Sequence, residues 1–351
     1  YYTINRPIVF IYLFQIFKLI EGLAIIANNF MNNSRPLITI GIPCYNAKDT
    51  IIRALKSARA QQWENFEIVL VDDCSGDGSM DVVKQYLRKT KDLSVKFVTN
   101  STNKGPGYSR QRIIDLASGE FVVFFDDDDE SHPDRIREQY YAILKAEEAC
   151  DSNVFACYAS GVRLYQSGYV KHLSAIGSKG MTLCGNLVAN YLLYHEIKPN
   201  YFYGSGTPTC ALMARKSTFK LAGGFDAKLR RVEDVDFAIR LSLMGGCFIG
   251  TKEELFKQYS TDAIDKSAKN NLIAEQMVVK KFKKYLDSKG LYEYAYRWPK
   301  LRYFHFCRQY FLLFKELIGL LILYPYRASH HFVGTGVRRL IHEFLIIRGD
   351  K

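Results

Sequence analysis

Two hydrophobic periods alternate along the first half of the chain. Leu37–Ile42 is a short aliphatic run and predicts a strand. Asp49–Gln61 follows with Ile51, Ile52, Leu55 and Ala58 on one helical face. Phe66–Val71 repeats the strand pattern; the turn residues Asp72–Ser79 come next, then a helix to about Arg88. Val95–Thr99 predicts a third strand, Gly107–Ala117 a helix and Phe121–Phe125 a fourth strand. Strands alternating with helices of this length imply βαβ units and a parallel sheet. Ligands of such sheets bind beyond the carboxyl ends of the strands. Cys44–Asn46, Asp72–Ser75, Asn100–Gly107 and Asp126–Asp129 are therefore expected to gather at one edge.

The middle of the chain, roughly Tyr140 to Thr251, is less regular, with glycine turns at Gly204-Ser205-Gly206 and Gly223-Gly224. Arg231–Met244 predicts a helix opened by Glu233, Asp234 and Asp236, acids that also suit a helix N-terminus. From Ala268 the pattern is helical, basic and aromatic. Phe311–Tyr324 is apolar but interrupted by Lys315 and Glu316, which suits a helix lying in a membrane interface better than one crossing it. Pro7–Ala27 is long enough to span a membrane, although Lys18 and Glu21 sit near its centre. Met31 opens a polar lead-in and is a candidate translation start, so residues 1–30 are read either as an anchor or as upstream sequence.

Charge changes this picture in one place. The net charge is +12, and from Lys266 to the end 17 Lys and Arg face six Asp and Glu. The excess is local, and it calls for an anionic partner such as nucleic acid, anionic lipid or a phosphorylated substrate. Eight scattered cysteines contain no Cys-x-x-Cys pair, so neither a zinc site nor a disulfide framework is expected, and a reducing, cytosolic setting fits.

The chemistry concentrates after Phe125, where Asp126, Asp127, Asp128 and Asp129 follow a buried-strand pattern without a break. Packed carboxylates repel one another and are costly to desolvate. A divalent cation relieves that repulsion, since Mg²⁺ and Mn²⁺ take oxygen ligands from one or two carboxylates and from substrate phosphates. A solvated acidic loop, or an N-cap for a helix near Asp134, is the plainer reading of the same residues.

Five stretches taken together resemble the inverting family-2 glycosyltransferases of GT-A fold, of the bacterial surface-glycan type. They are Ile40–Asn46, Val71–Asp77, Asn103-Lys104-Gly105, Phe125–Asp129, and Gly223–Asp226 followed by Glu233-Asp234. The resemblance spans about Pro36 to Gly246 and implies an α/β fold: a Rossmann-type, mostly parallel central sheet with flanking helices and a C-terminal helical extension. It divides the chain into an N-terminal segment (1–34), a nucleotide-binding half (35–145), an acceptor-binding half (146–265) and a basic aromatic C-terminal region (266–351).

The resemblance also implies roles. Tyr45 would stack on uracil beside Pro43, and Asp72 would accept a hydrogen bond from a base N–H, a turn-forming role being its alternative. Asp73 and Ser75 would contact the nucleotide or only shape the loop. Gly105 and Arg110 would face the base or the diphosphate, with a solvated surface arginine as the alternative for Arg110. In the D-x-D motif Asp126 would contact ribose and Asp128 the metal, Mn²⁺ or Mg²⁺. Asp127 makes the register ambiguous by one residue, leaving Asp127/Asp129 as the competing frame. Asp234 would be the general base, with capping the expected fate of Asp236. Glu233, Arg231 and Gly206 would lie on the acceptor side. The family often has a histidine after the base helix, and Phe256–Lys269 contains none.

The resemblance implies a nucleotide-sugar donor, UDP being expected, and a glycan or lipid-linked acceptor. An anionic membrane surface is expected as a partner and nucleic acid is not, which places the protein on the inner face of the cell membrane. Two other classes compete: a nucleic-acid-binding protein using the basic aromatic tail, and a sugar nucleotidyltransferase. The first is disfavoured by the tail's long aliphatics. The second needs an early glycine-rich, Lys/Arg-bearing loop, which Gly41-Ile42-Pro43-Cys44 is not.

Overall fold

A computed structural model describes residues 35–90, 93–150, 152–260 and 267–348. The readings of residues 1–34 as anchor or upstream sequence lie outside these residues.

The predicted alternation is present in the first half: β1 (Ile38–Cys44), α1 (Ile51–Arg59), β2 (Phe66–Asp72), α2 (Ser79–Lys89), β3 (Val95–Thr99), α3 (Pro106–Leu116) and β4 (Phe121–Phe124). β1 pairs in parallel with β2 and with β4, and β2 with β3, giving the order β3-β2-β1-β4. Two close approaches fix α3 against the sheet and against the loop that leads into the acid-bearing helix. A Cβ on Gly41 would lie 2.4 Å from Ile113, and one on Gly107 would lie 2.8 Å from the Asp226 carbonyl oxygen.

Beyond β4 the sheet continues but changes character. The further elements are β5 (Glu130–Ser131), α4 (Arg135–Ala149), β6 (Phe155–Leu164), β7 (Val170–Leu173), β8 (Leu183–Cys184), α5 (Leu187–Tyr194), β9 (Leu212–Arg215), α6 (Lys216–Leu221), α7 (Glu233–Leu243) and β10 (Cys247–Tyr259). β9 runs antiparallel to both β4 and β6, while β6 and β10 are parallel. The parallel half thus joins a mixed half in one ten-stranded sheet. Apolar clusters cover the sheet, one built on Val69, Val122, Phe124 and Phe248 and the other on Ile40, Ile68, Val123 and Phe155.

Five helices complete the described chain: α8 (Ala268–Lys281), α9 (Lys283–Asp287), α10 (Tyr292–Phe306), α11 (Tyr310–Leu323) and α12 (Pro325–Arg348). They pack on α5 and α7 through a third cluster that includes Leu193, Ile239, Val278, Tyr294 and Leu320. No helix among the described residues is long and apolar enough to cross a membrane.

The cysteine expectation is corrected at one point. Cys184 and Cys247 form a disulfide. They are 63 residues apart, so no local spacing betrays them. The antiparallel pairing of β8 with β10 sets them directly opposite, where facing Cα atoms approach closely enough for a bridge.

Candidate functional site

The four predicted stretches meet at the carboxyl edge of the parallel half. Asn46 and Cys74 take left-handed backbone conformations (φ 51° and 64°), which turns the chain sharply out of β1 and β2. The Asn46 amide donates to Ser75 Oγ at 2.9 Å, and Ser75's own amide reaches Asp72 Oδ1 at 3.2 Å. Asp72 is buried, and its carboxylate serves its own turn. Asp73 is buried too, and its carboxylate accepts from the amides of Lys104 and Gly105 (2.9 and 2.7 Å) and from Asn100 Nδ2 (2.7 Å). One carboxylate organises the turn into α3, where Gly105 supplies a φ of 92°. Pro43 is half-buried and the Tyr45 side chain is 50% exposed, leaving the ring open for stacking.

The acids after β4 are held on three sides. The Tyr45 amide donates to Asp127 Oδ2 at 2.9 Å, which turns Asp127 towards the β1 loop. Asp128 contributes its carbonyl oxygen to Arg53, whose guanidinium stacks 3.8 Å over the Tyr259 ring. Asp129 Oδ1 accepts from the Tyr259 amide at 3.3 Å, whereas buried Asp129 Oδ2 has no hydrogen-bond partner. Burial and the Asp128 charge raise Asp127 to about 8; burial with Asp126 and Asp128 raises Asp129 to about 8.

Behind them lies Arg135, almost fully buried, which donates to the Phe124 carbonyl oxygen, Ser131 Oγ and Gln139 Oε1 (2.9, 2.9 and 3.0 Å). Burial lowers its guanidinium to about 10, opposed by Asp129 and Asp126. Sequence reasoning missed this residue; its signal is the i, i+4 spacing of Ser131, Arg135 and Gln139.

Ligand atoms of Asp126, Asp129 and Cys210 lie within 4.8 Å of one another. Asp128, the residue expected to hold the metal, is outside that group. The set fits a divalent cation on one independent ground. Asp129 Oδ2 is an orphaned acceptor in a place where an unpartnered carboxylate is costly.

The second acid group opens α7. Val232 at its N-cap has φ 56°, a left-handed conformation rare for a β-branched residue and a marker of local strain. Glu233 and Asp234 follow it directly. Arg110 is not the solvated surface arginine of the alternative reading. It is buried between the two acid groups, donating to Asp126 Oδ1 at 2.9 Å and to Glu233 Oε1. Desolvation opposes its charge, and Asp126 and Glu233 more than compensate, so its pKa rises above the ordinary arginine value. Burial and the Glu233 charge raise the Asp234 carboxyl to about 7, against the pull of Arg110.

Asp236 does not cap the helix. It is buried and ion-paired with Arg240 (2.9 Å) and Lys281 (2.8 Å), because it faces the C-terminal helices rather than the cleft. Lys281, part of the basic tail, thereby balances internal charge. On the expected acceptor side, Arg231 donates to Asn271 Oδ1 at 3.0 Å and faces α8. Gly206 sits in a loop with φ 99° and open space where its Cβ would project. This loop leads into Cys210, which precedes β9 and so lies beside the end of antiparallel β4.

The chain is similar to known proteins in sequence and in fold. The chain is 27% identical over 270 residues to the amylovoran biosynthesis glycosyltransferase AmsB of Erwinia amylovora, covering 76% of this chain and 84% of that one. It is 37% identical over 95 residues to the GalNAc(5)-diNAcBac-PP-undecaprenol beta-1,3-glucosyltransferase of Campylobacter jejuni, covering 27% and 30% of the two chains. Its fold matches that of S. aureus TarS 1-349 crystallised with UDP-GlcNAc (TM-score 0.55, 19% identity, 77% of this chain and 73% of that one). The pattern of Glycosyl transferase family 2 matches residues 39–218, just over half of the chain. The chain belongs to glycosyl transferase family 2.

Proposed function

We propose that the protein transfers one sugar from a UDP-sugar to a hydroxyl of a glycan or lipid-linked acceptor in surface-polysaccharide synthesis, with inversion and with help from a divalent cation. The observation that carries this reading is the Arg110 bridge. It ties Asp126, at the end of β4, to Glu233, at the start of α7, and so brings the candidate base Asp234 beside the candidate cation and nucleotide residues. Tyr45 is exposed for stacking on uracil. TarS has been crystallised with UDP and with UDP-GlcNAc, which supports a uridine nucleotide. The Campylobacter relative's name carries a PP-undecaprenol acceptor, which supports a lipid-linked one here.

Asp234 takes the proton of the acceptor hydroxyl while that oxygen attacks the anomeric carbon. The bond from this carbon to the diphosphate breaks, and its electron pair leaves with UDP. A carboxyl at about 7 is poised for this work, because a general base is most effective when its pKa is near the operating pH. Asp128, with Asp126 and Asp129 beside it, would hold the cation, whose contribution when bound is to neutralise charge on the departing diphosphate. Asp73 and Gly105 keep the glycine loop in shape. Donor hydrolysis and transfer with a panel of UDP-sugars, with and without Mn²⁺, tests the reading; undiminished turnover by Asp234→Asn rejects it.

A membrane surface is part of the same proposal. The outer face of α11 and α12 exposes Phe311 (81%), Ile322 (74%) and Tyr326 (84%). Lys315, Arg308 and Arg338 belong to the same helices or the link before them, and the region carries the chain's charge excess. An apolar face flanked by cations suits the headgroup boundary of an anionic bilayer, and it suits lipid better than nucleobases. Co-flotation with anionic vesicles, but not with neutral ones, is the expected result.

A further inference from the structure

α12 has two unlike faces. His331 and His342 stand eleven residues apart, about three helical turns, so both rings leave the helix on one side. Tyr326, Val333, Val337 and Leu340 follow one another at spacings of seven, four and three residues, share the opposite side and are exposed. That outer side is the one proposed to meet lipid. The inner side, with its histidines, has no part in the transfer itself.

The inner side is clamped at two places. His331 is buried, with its ring stacked between Trp298 and His195 (centroids 3.6 and 4.1 Å away), and the Tyr294 hydroxyl lies 2.8 Å from its Nδ1. His342 sits between Tyr165 and Tyr169 (5.6 and 5.7 Å), and the Tyr165 hydroxyl lies 3.1 Å from its Nε2. Burial lowers His195 to about 4 and His331 further, so these two rings are uncharged near neutral pH and stacking holds them. Each clamp leads to a substrate region. From His195 the rings continue through Tyr191 (5.2 Å) to Tyr203 (4.5 Å), which enters the Gly204-Ser205-Gly206 turn. From Tyr165 the path is backbone: Leu164 pairs with Tyr259, whose amide holds Asp129.

The attachment is thin. Among the described side chains of α12, Ala328 and His331 are the buried ones. Further along, the contacts are those of His342, an ion pair of Glu343 with His305 (2.9 Å) and the Arg339 guanidinium over Phe306 (4.5 Å). His342 Nδ1 is buried without a hydrogen-bond partner, which weakens its clamp. A helix with so few buried apolar contacts opens locally at low cost. Docked beside α11, α12 adds its apolar side to one larger lipid-facing surface. A bilayer therefore binds the docked state better, and that difference in affinity is what shifts a population.

We propose that α12 is a strap: an anionic bilayer on its outer side keeps His331 and His342 in their clamps, and the clamps order the Tyr165–Tyr169 turn and residues 195–206. The acceptor half is then fully ordered only at the surface that carries a lipid-linked acceptor. The coupling runs through one element with two states, docked and undocked, in direct contact with both regions. This inference rests on the membrane surface of the proposed function and is read without turnover.

The test is hydrogen exchange on the full chain, alone and with vesicles of phosphatidylglycerol and phosphatidylcholine, with flotation run in parallel. The anionic vesicles are expected to slow exchange at least about tenfold in α12, in the Tyr165–Tyr169 turn and in residues 195–206. His342→Ala is expected to float like wild type and to lose the slowing at the Tyr165–Tyr169 turn. The double variant Val333→Glu, Val337→Glu is expected to float less and to lose the slowing everywhere. Equal slowing of the turn in wild type and His342→Ala overturns the proposal, because the bilayer then covers the turn directly. So does an α12 that exchanges as slowly as β1 and β4 before vesicles are added. Flotation with slowing confined to α12 leaves the membrane reading standing and removes this inference alone. Absence of flotation removes both.

Discussion

The edge of the sheet after β4 and the outer face of α11 and α12 depart from ordinary partitioning in opposite senses. At the sheet edge, Asp127 and Asp129 hold raised carboxyls in a place where charge is costly. On the helices, Phe311, Ile322 and Tyr326 face outward where apolar surface is costly. In the proposed function both imbalances would be resolved by something outside the chain, a cation with a diphosphate at one and lipid at the other. Arg135 and Arg110 show how far the protein goes towards balancing the acids by itself. Neither leaves Asp129 Oδ2 with a partner. Among the described residues the helices have no comparable internal cover on that face.

The sharpest way to break the comparison is to remove the group that makes the sheet edge chemical rather than merely acidic. Asp234→Asn is expected to lower the turnover of UDP-sugar by about 10²–10⁴-fold, the range of general base catalysis, with the fold and UDP binding retained. Steady-state transfer assays with calorimetry for UDP check both halves.

Next in size is Arg110→Ala, which strands Asp126 and Glu233 without their shared cation. Removing one member of a buried ion cluster costs about 3–5 kcal/mol, so denaturant melts are expected to show a loss on that scale.

Tyr45→Ala tests the open end of the nucleotide region and is expected to weaken UDP binding by about 1–3 kcal/mol, the worth of one aromatic–base stack, while melting is unchanged.

The pH dependence is the most diagnostic. Asp127 and Asp129 have folded-state values of about 8, far above an ordinary carboxyl near 4. The folded state therefore binds protons that the unfolded state releases. The stability these groups contribute is full below pH 4 and declines as pH rises towards 8. Without a cation, melting temperature is expected to fall over that window, and Mn²⁺ is expected to raise it more at pH 8 than at pH 5. Turnover has the opposite slope, falling as pH drops below about 7 and Asp234 gains its proton.

Much of the parallel half was legible in the sequence because each strand–helix pair announces itself locally. Leu37–Ile42 and Phe121–Phe125 fall within about two residues of β1 and β4. β6 was not legible. Its residues Phe155–Leu164 include Ala156, Ala159, Ser160 and Gly161, poor strand formers, and its first seven positions are buried, which erases the period-2 signal. Gly161 is there because Phe256 packs where its Cβ would be, a contact between positions 95 residues apart that no local reading finds. At the site, the stretches gather as expected, but the protein partners of each acid within Asp126–Asp129 were not legible. Those partners depend on which distant element reaches each acid: Tyr45 for Asp127, Arg53 for Asp128 and Tyr259 for Asp129.

The bond between Cys184 and Cys247 makes the intervening stretch a closed ring that carries both the β9 approach with Cys210 and the helix with Asp234. A protease that nicks this ring at the exposed Ser205 turn would leave two pieces still joined in one molecule, migrating apart only after a reductant is added. The thiol and the base would stay tethered to the same covalent frame after the chain itself had been cut.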